Sequence, residues 1–206
     1  MPTIDLRTQF KHLYQPSAKK FSSVDVPPMN FLMIDGTGNP NTSQDFKDAM
    51  EALYGLSYTL KFGVKLGKYG KRKYDYPVMA LEGLWWMDDM REFSVERKDE
   101  WKWTVMIMQP DIITPDLVEL ARADLIKKKH PAAAPKIRFE CYAEGPSAQI
   151  MYIGPFADEG PTIQRLHDFI HESGHQLRGK HHEIYISDPR RTAPEKLKTV
   201  IRQPMK

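Results

Sequence analysis

The chain has 206 residues, of which 41% are hydrophobic, 28% charged and 11% aromatic, so it can bury the core of one domain or of two small ones. Lys and Arg number 30 against 27 for Asp and Glu, and the two signs are interspersed, so charge indicates neither a nucleic-acid nor a membrane partner. A single cysteine excludes an intramolecular disulfide and a cysteine-based zinc cluster, and favours a reducing, cytoplasmic compartment. Without a secretory signal pattern or a long apolar run, we expect neither secretion nor a transmembrane segment.

The first quarter of the chain predicts an arm, a strand and a helix. Residues 1–28 have little periodicity and several prolines, which indicates an extended N-terminal arm. Residues 29–36 (MNFLMIDG) form a short apolar run that predicts a buried strand. Ser43 is a candidate N-cap, and apolar residues at three- and four-residue spacing predict a helix over about 43–62.

Two strands and a second helix follow. The strands are predicted over 78–87 and 101–110, on either side of a charged connection. Thr114 and Pro115 are typical of a helix start, and the apolar spacing after them predicts a helix that ends near residue 130.

The second half of the chain carries a similar series of elements. Residues 136–144 alternate between apolar and charged side chains, which predicts a half-buried strand, and AQIMYIG predicts another. An amphipathic helix is expected over about 161–174, followed by strands over 181–187 and 197–203.

The two halves therefore read as a tandem β-α-β-β duplication. The expected fold class is α+β, with pseudo-two-fold symmetry, antiparallel sheets, helices on one side and a central ligand cleft. Each half has a glutamate in the middle of a strand, Glu82 and Glu183, and we expect both to face that cleft. The expected boundaries are an arm over 1–28 and one domain over 29–206, made of a repeat over about 29–110, a connecting helix over about 114–130 and a repeat over about 136–206.

The strand LEGLWW contains the first candidate site residues. Strand alternation places Glu82 and Trp86 on one face and Trp85 on the other. A glutamate between bulky apolar residues is typical of a ligand cleft, because glutamate is seldom buried without a partner. The tryptophans are equally typical of core packing.

The strand HHEIYIS contains the second set. His181, Glu183 and Tyr185 share one face, where they could provide a general base, its orienting partner and a hydrogen-bond donor. A solvated edge strand is the alternative. His182 points to the opposite face from His181, so three convergent metal ligands are not evident, and we expect neither a metal nor a cofactor.

Other aromatic residues are candidates for the walls of a pocket. Trp101 and Trp103 share a strand face, and Tyr54 and Tyr58 lie one helical turn apart. Both pairs are also compatible with core packing. The loop over 67–77 is basic and rich in tyrosine, but it is short, so it favours a flap over a pocket rather than nucleic-acid binding.

Several sequence blocks together resemble a known family. The blocks are FLMIDGTGNPN, ALYGLSYTLK, LEGLWW, WKWTVMIMQPD, GPFADE, HHEIYISDPRR and KLKTVIR. Their joint order resembles the stand-alone GyrI-like small-molecule-binding proteins of the SOUL or AraC effector-binding superfamily. The resemblance implies a tandem β-α-β-β fold around a central cleft, which agrees with the duplication.

One branch of that family, the cyclopropanoid cyclopropyl hydrolases, is similar in its double-Trp and HHEIY strands. The resemblance implies catalytic roles for Glu183, Glu82 and Tyr185, in an enzyme that opens the strained ring of genotoxic alkylators by adding water. It also implies that aromatic residues hold a flat ligand. The ligand-binding residues expected are Trp85, Trp86, Trp103, Tyr58, Tyr54, Tyr152, Phe156 and His181.

The chain departs from the family pattern at two positions, since Tyr152 stands where a histidine is frequent and Phe156 where a tyrosine is frequent. The expected function is binding of a flat, hydrophobic, drug-like molecule with hydrolysis of its cyclopropane ring. The alternatives are a non-catalytic binder that sequesters drugs and a modulator similar to the DNA gyrase inhibitors of the family. The oligomeric state is not predicted.

Overall fold

The computed structural model describes residues 1–70, 72–89 and 97–206 and divides the chain into two compact units. The charged connection between the two predicted strands lies partly outside the described residues, as does Lys71 in the predicted flap. The first unit is Met1–Gln9, Met29–Met79 and Lys98–Tyr142, and the second is Phe10–Pro28, Ala80–Arg97 and Ala143–Lys206. In chain order, the α-helices and strands are α1 (Leu6–Gln9), α2 (Lys11–Tyr14), β1 (Ser22–Val26), β2 (Met29–Thr37), α3 (Gln44–Leu66), β3 (Leu81–Trp86), β4 (Lys102–Gln109), α4 (Pro115–Lys129), β5 (Arg138–Tyr142), β6 (Gly145–Ile153), α5 (Gly160–Glu172), β7 (His181–Tyr185) and β8 (Lys198–Pro204).

The first unit packs two helices with an antiparallel sheet. Strand β2 pairs with β4 on one side and with β5 on the other. Helix α3 begins as predicted, because the Ser43 hydroxyl accepts a hydrogen bond from the N–H of Phe46 at 3.2 Å. It ends at Gly67, whose φ of 77° is the left-handed conformation that glycine adopts readily. The buried face of α3 contacts β2 and β4, and α4 packs beside it.

The second unit packs α5 on one face of an antiparallel sheet. Its strand order is β1-β6-β8-β7-β3. An apolar cluster forms the interface between α5 and the sheet, and its buried members are Ala148, Ile150, Leu166, Ile170, Ile201 and Met205. This packing leaves the opposite face of the sheet for other elements.

The predicted β-α-β-β order occurs twice along the chain. The first series is β2-α3-β3-β4 and the second is β6-α5-β7-β8. Strand β3 belongs to the second unit, where it pairs with β7. The predicted α+β class, the antiparallel pairing and the packing of the long helices on a sheet face are confirmed.

Residues 1–28 are more structured than an extended arm. They contain α1, α2 and β1, and β1 pairs with β6. Leu13 and Tyr14 at the end of α2 are buried. Helices of four residues are too short to produce a detectable apolar period, so the sequence pattern could not reveal them.

The close approach of β2 and β4 requires a glycine at position 36. Gly36 lies directly opposite Trp103, and a Cβ atom at position 36 would lie 2.2 Å from the indole ring. Trp103 is fully buried and packs edge-to-face against Phe46, with ring centroids 5.1 Å apart. The ring therefore has no free space into which it can shift.

Gly36→Ala should destabilise the protein by about 1–3 kcal/mol, because the added methyl group overpacks the core around Trp103. Urea unfolding followed by tryptophan fluorescence measures the change. Gly160→Ala is the matched control, since a Cβ there meets nothing within 4 Å and should cause little change. Equal unfolding midpoints for Gly36→Ala and the wild type would contradict the steric argument.

Candidate active site

The register between β3 and β7 determines which candidate site residues lie on the same face of the sheet. Gly83 lies directly opposite Glu183, while Glu82 lies opposite Ile184. Directly paired residues of an antiparallel sheet share a face, so Glu82 and Glu183 project to opposite faces. The expectation that both glutamates face one cleft is therefore wrong, because the two strands pair one residue away from a glutamate-to-glutamate register.

Glu82 is enclosed by hydrogen-bond donors. The Tyr14 hydroxyl donates to Oε1 at 2.6 Å, and the His182 Nε2–H donates to Oε2 at 3.0 Å. The glutamate is 0% exposed. Both carboxylate oxygens are thus used within the protein, which fits a structural anchor better than the catalytic role expected for Glu82.

The Glu82 contacts belong to a larger buried network. The Nδ1–H of His182 donates to Glu144 at 2.9 Å, and Arg202 donates to the other oxygen of Glu144 at 3.2 Å. Arg202 also donates to the Gln149 side chain and to the Leu13 carbonyl, at 3.1 and 2.8 Å. The network, named here the back-face network, consists of Tyr14, Glu82, Glu144, Gln149, His182 and Arg202.

The back-face network contains two acidic side chains, Glu82 and Glu144, and two basic side chains, His182 and Arg202. Burial alone would lower the pKa of His182, but Glu144 and Glu82 outweigh it and raise that pKa to about 9. Burial alone would raise the pKa of Glu144, but His182 and Arg202 lower it to about 2. His182 is therefore an imidazolium at neutral pH, and its two N–H groups join two glutamates.

The opposite face of β7 carries a second hydrogen-bonded chain. The Tyr185 hydroxyl donates to Glu183 Oε2 at 2.8 Å, and the His181 Nε2–H donates to Oε1 at 3.2 Å. The indole N–H of Trp85 donates to the Tyr185 hydroxyl at 3.1 Å. This chain, named here the front-face relay, brings together on one face the three β7 residues predicted to share it, together with one of the two tryptophans of LEGLWW.

The environment of the front-face relay keeps Glu183 ionised. Burial would raise the pKa of Glu183, but hydrogen bonds from His181 and Tyr185 outweigh burial and the pKa is lowered. Burial and the Glu183 charge raise the pKa of Tyr185 well above its ordinary value of 10. At neutral pH the site thus presents a carboxylate beside a protonated phenol, which is an arrangement able to accept a proton or bind a cation.

The turn between β6 and α5 borders the relay. Phe156 packs edge-to-face on Tyr185 with ring centroids 5.5 Å apart, and it is 37% exposed. The Tyr152 hydroxyl donates to the Pro155 carbonyl at 3.0 Å, which ties the turn to β6. Glu159, at the end of this turn, is 6% exposed.

The other predicted aromatic residues are Trp86, on the strand face opposite the front-face relay, and Trp103, Tyr58 and Tyr54, which belong to the first unit. Trp86 is half-buried on the Glu82 face of β3, with Lys180 Nζ 3.4 Å from its ring centroid. In the first unit, Trp103 has the position expected for the core alternative. Tyr58 is 48% exposed and stacks on Phe62, and Tyr54 is half-buried on the same helix.

Sequence reasoning missed several residues in the surroundings of the two glutamates. They are Tyr14, Glu144 and Arg202 on one face and Glu159 on the other. A charged residue within an apolar strand, such as Arg202 in TVIRQ, indicates a buried partner and could have drawn attention to the network. Glu159 gave no such signal, because an acid before a helix is also typical of helix starts.

Comparison with known proteins identifies the family. The GyrI-like small molecule binding domain matches residues 19–206, and the chain belongs to this family. The resemblance seen in the sequence blocks is thereby confirmed. No curated protein matches the chain.

Three crystal structures from Listeria innocua are similar over nearly the whole chain. An uncharacterized conserved protein is 36% identical, with a TM-score of 0.89, over 98% of this chain and 100% of its own. A protein described as a hydrolase is 34% identical, with a TM-score of 0.88, over 99% of this chain and 100% of its own. A second described as a hydrolase is 35% identical, with a TM-score of 0.85, over 98% and 100%.

Among the helices in the described ranges, none combines the length and apolar character needed to cross a membrane.

The back-face network predicts a pH dependence of folding stability. The pKa of His182 is raised from 6.5 to about 9. Its contribution to the free energy of unfolding is therefore complete below pH 6.5 and is lost as the pH rises towards 9. The pKa of Glu144 is lowered from 4.5 to about 2, so its contribution is complete above pH 4.5 and is lost on acidification towards 2. The free energy of unfolding of the wild type, measured with urea from about pH 2 to about pH 9, should therefore decrease towards both ends of this range.

His182→Gln should cost about 3–5 kcal/mol at pH 6, because it removes the cation that two buried carboxylates share. The variant should also show no loss of stability as the pH rises from 6.5 towards 9. His171→Gln is the matched control, since His171 is exposed and its replacement should preserve the wild-type profile. A wild-type stability that stays constant up to pH 9 would refute the role of His182.

Proposed function

We propose that the front-face relay is the centre of a small-molecule site in which a flat, hydrophobic cyclopropanoid alkylator binds and its three-membered ring is opened by water. The observation that carries the proposal is the buried carboxylate of Glu183, held between the donors of His181 and Tyr185. Trp85 and Phe156 provide neighbouring aromatic surface. Such a site combines apolar surface with a few oriented polar groups, as ligand sites do.

The proposed reaction is the addition of one water molecule. Water attacks a cyclopropane carbon that is conjugated to a dienone, and a new C–O bond forms. The C–C bond breaks, and its electron pair passes through the ring to the carbonyl oxygen, which becomes a phenolate. Glu183 takes the proton from the attacking water, and the phenolate then gains a proton, so the product is the substrate plus water.

The surroundings of Glu183 suit the role of a base. Its pKa is lowered, so the carboxylate is ionised at neutral pH, and its orientation rather than its basicity favours proton transfer. Tyr185 holds one carboxylate oxygen and His181 the other, which limits rotation of the carboxylate. Orientation of the base and of water supplies a large part of the rate in such reactions.

The relatives give independent support for catalysis. Two Listeria innocua proteins that are 34% and 35% identical to this chain are described as hydrolases. The family description itself names small-molecule binding. The cyclopropane ring as the bond cleaved is inferred from the resemblance of the LEGLWW and HHEIY strands.

A non-catalytic binder is the second candidate function. An ionised carboxylate beside aromatic rings attracts organic cations through charge and cation–π contacts. The lowered pKa of Glu183 favours this function as well, because the carboxylate keeps its charge in a buried position. The two candidates differ in whether the ligand is chemically changed.

Incubation with a spirocyclopropyl dienone alkylator, followed by mass spectrometry, distinguishes the two candidates. A product heavier by one water supports the hydrolase. Quenching of tryptophan fluorescence with unchanged ligand supports the binder and contradicts hydrolysis. Absence of both product and quenching contradicts the proposed site.

Glu183→Gln should lower single-turnover ring opening by about 100-fold or more, because the amide cannot accept the proton from water. Binding, measured by tryptophan quenching, should change much less. Glu195→Gln is the matched control, because Glu195 is an exposed glutamate of the same unit. Wild-type turnover in Glu183→Gln would exclude Glu183 as the base.

Tyr185→Phe should lower ring opening by about tenfold, the loss expected for one hydrogen bond to a charged group. The carboxylate then keeps the donor from His181 but gains freedom to rotate. The measurement is the same single-turnover assay. A decrease as large as that of Glu183→Gln would mean that the phenol takes part directly in proton transfer.

A further inference from the structure

The Trp85 indole and the Tyr185 hydroxyl come from distant positions of the β3–β7 pair. Tyr185 lies opposite Leu81, which is four residues along β3 from Trp85. At about 3.3 Å per residue, this offset is about 13 Å. The two side chains nevertheless meet, with Trp85 Nε1 3.1 Å from the Tyr185 hydroxyl. Both must therefore lean towards the middle of the interval, where Gly83 lies opposite Glu183.

Gly83 provides the space in which the two side chains meet. A Cβ atom at position 83 would lie 2.7 Å from Trp85 Nε1, 3.0 Å from its Cε2 and 3.1 Å from its Cζ2. The indole therefore lies over the glycine, with its nitrogen nearest to it. Trp85 is 3% exposed, so close packing limits how far the ring could move away from an added methyl group. A residue without a side chain is thus needed at position 83 for the indole to reach Tyr185.

The hydrogen bonds of these side chains have a fixed direction. An indole N–H can only donate, so the Tyr185 oxygen is the acceptor of the bond from Trp85. A phenol has one hydrogen, and Tyr185 donates it to Glu183 Oε2 at 2.8 Å. A hydroxyl that accepts one hydrogen bond is polarised, which strengthens the bond that it donates. The indole N–H therefore favours the hydroxyl orientation in which the hydrogen lies on the carboxylate.

We propose that Trp85 is a positioning residue that acts through Tyr185 to orient the Glu183 carboxylate, and that Gly83 makes room for its indole. The inference rests on the proposed function in that Glu183 is the reacting carboxylate. The role belongs to the indole N–H and is separate from the aromatic surface that Trp85 offers.

The orientation of Glu183 depends on both of its donors. His181 Nε2 holds Oε1 at 3.2 Å, and Tyr185 holds Oε2 at 2.8 Å. A phenolic hydroxyl can rotate about its C–O bond, so without the indole its hydrogen could turn to water or to the ligand carbonyl. The carboxylate would then keep one fixed contact instead of two. Loss of orientation at a reacting group lowers the rate of the chemical step.

Proton–nitrogen correlation NMR of the full chain, recorded without ligand, tests the hydrogen-bonded arrangement directly. The four tryptophans give four indole N–H signals, and Trp85→Phe identifies the signal of Trp85. That signal should move upfield in Tyr185→Phe, which removes its acceptor. It should move upfield by a smaller amount in Glu183→Gln, because a neutral amide polarises the Tyr185 hydroxyl less. It should stay in place in Glu195→Gln, the control at an exposed glutamate.

An indole signal that is the same in the wild type and in Tyr185→Phe would overturn the proposal. This readout needs no ligand, so its outcome is independent of whether the protein opens a cyclopropane ring. If the signal responds as expected but the wild type forms no ring-opened product, the proposed function fails and the hydrogen-bonded arrangement stands.

Ring opening of the spirocyclopropyl dienone alkylator by paired variants tests the positioning role. Trp85→Phe keeps an aromatic ring but loses the N–H, and should lower the single-turnover rate at saturating alkylator by about threefold to tenfold. The double variant with Tyr185→Phe should have the rate of Tyr185→Phe alone, because Trp85 acts only through the tyrosine. Losses that multiply in the double variant, or a wild-type rate in Trp85→Phe, would contradict the role.

Gly83→Ala tests the space that the glycine provides. Its methyl group should displace the indole, so the ring-opening rate should decrease as in Trp85→Phe and the Trp85 indole signal should move upfield. Added to Trp85→Phe, it should cause less than about a twofold further loss, because phenylalanine lacks the indole Nε1 and Cζ2. Gly160→Ala is the control, since a Cβ there meets nothing within 4 Å. A wild-type rate with an unshifted indole signal in Gly83→Ala would exclude the role of Gly83.

Discussion

The pairing of Gly83 with Glu183 is the constraint on which the chemistry of the second unit depends. It places Glu82 of β3 and Glu183 of β7 on opposite faces of one sheet, with different surroundings. Behind the sheet, His182 enters a closed set of paired charges. In front, Glu183 accepts hydrogen bonds from His181 and Tyr185. A shift of one residue in this pairing would place Glu82 on the same face as Glu183.

The back-face network contributes to stability and fixes the position of β7. Buried ion pairs gain little over apolar packing, but they are costly when one partner is lost, so they tolerate few alternative arrangements. His182 has glutamates on both ring nitrogens and therefore holds β7 in one position. Because Glu183 is the next residue, the contacts of His182 also fix the position of the Glu183 backbone. The carboxylate of Glu183 is thus oriented from behind by the residues of the back-face network.

Much of the fold follows from patterns within single elements, whereas the site depends on contacts between elements. Apolar spacing and the Ser43 cap predict α3, and strand alternation predicts that His181, Glu183 and Tyr185 share a face. Alternation says nothing about which residue of another strand lies opposite, so the separation of Glu82 from Glu183 could not be foreseen. The short helix α2 could not be predicted for a different reason, since four residues are too few to show the apolar spacing of a helix.

The contacts of α2 also affect where a shortened version of this domain can begin. The family match begins at residue 19, but Tyr14 and the carbonyl groups of His12 and Leu13 complete the hydrogen bonding of Glu82, Gln149 and Arg202. A fragment that starts at the family boundary would leave these buried groups without partners, at about 1–3 kcal/mol each. The family match is therefore shorter than the part of the chain that completes this buried hydrogen bonding, and a fragment that begins at residue 19 should be less stable than the full chain.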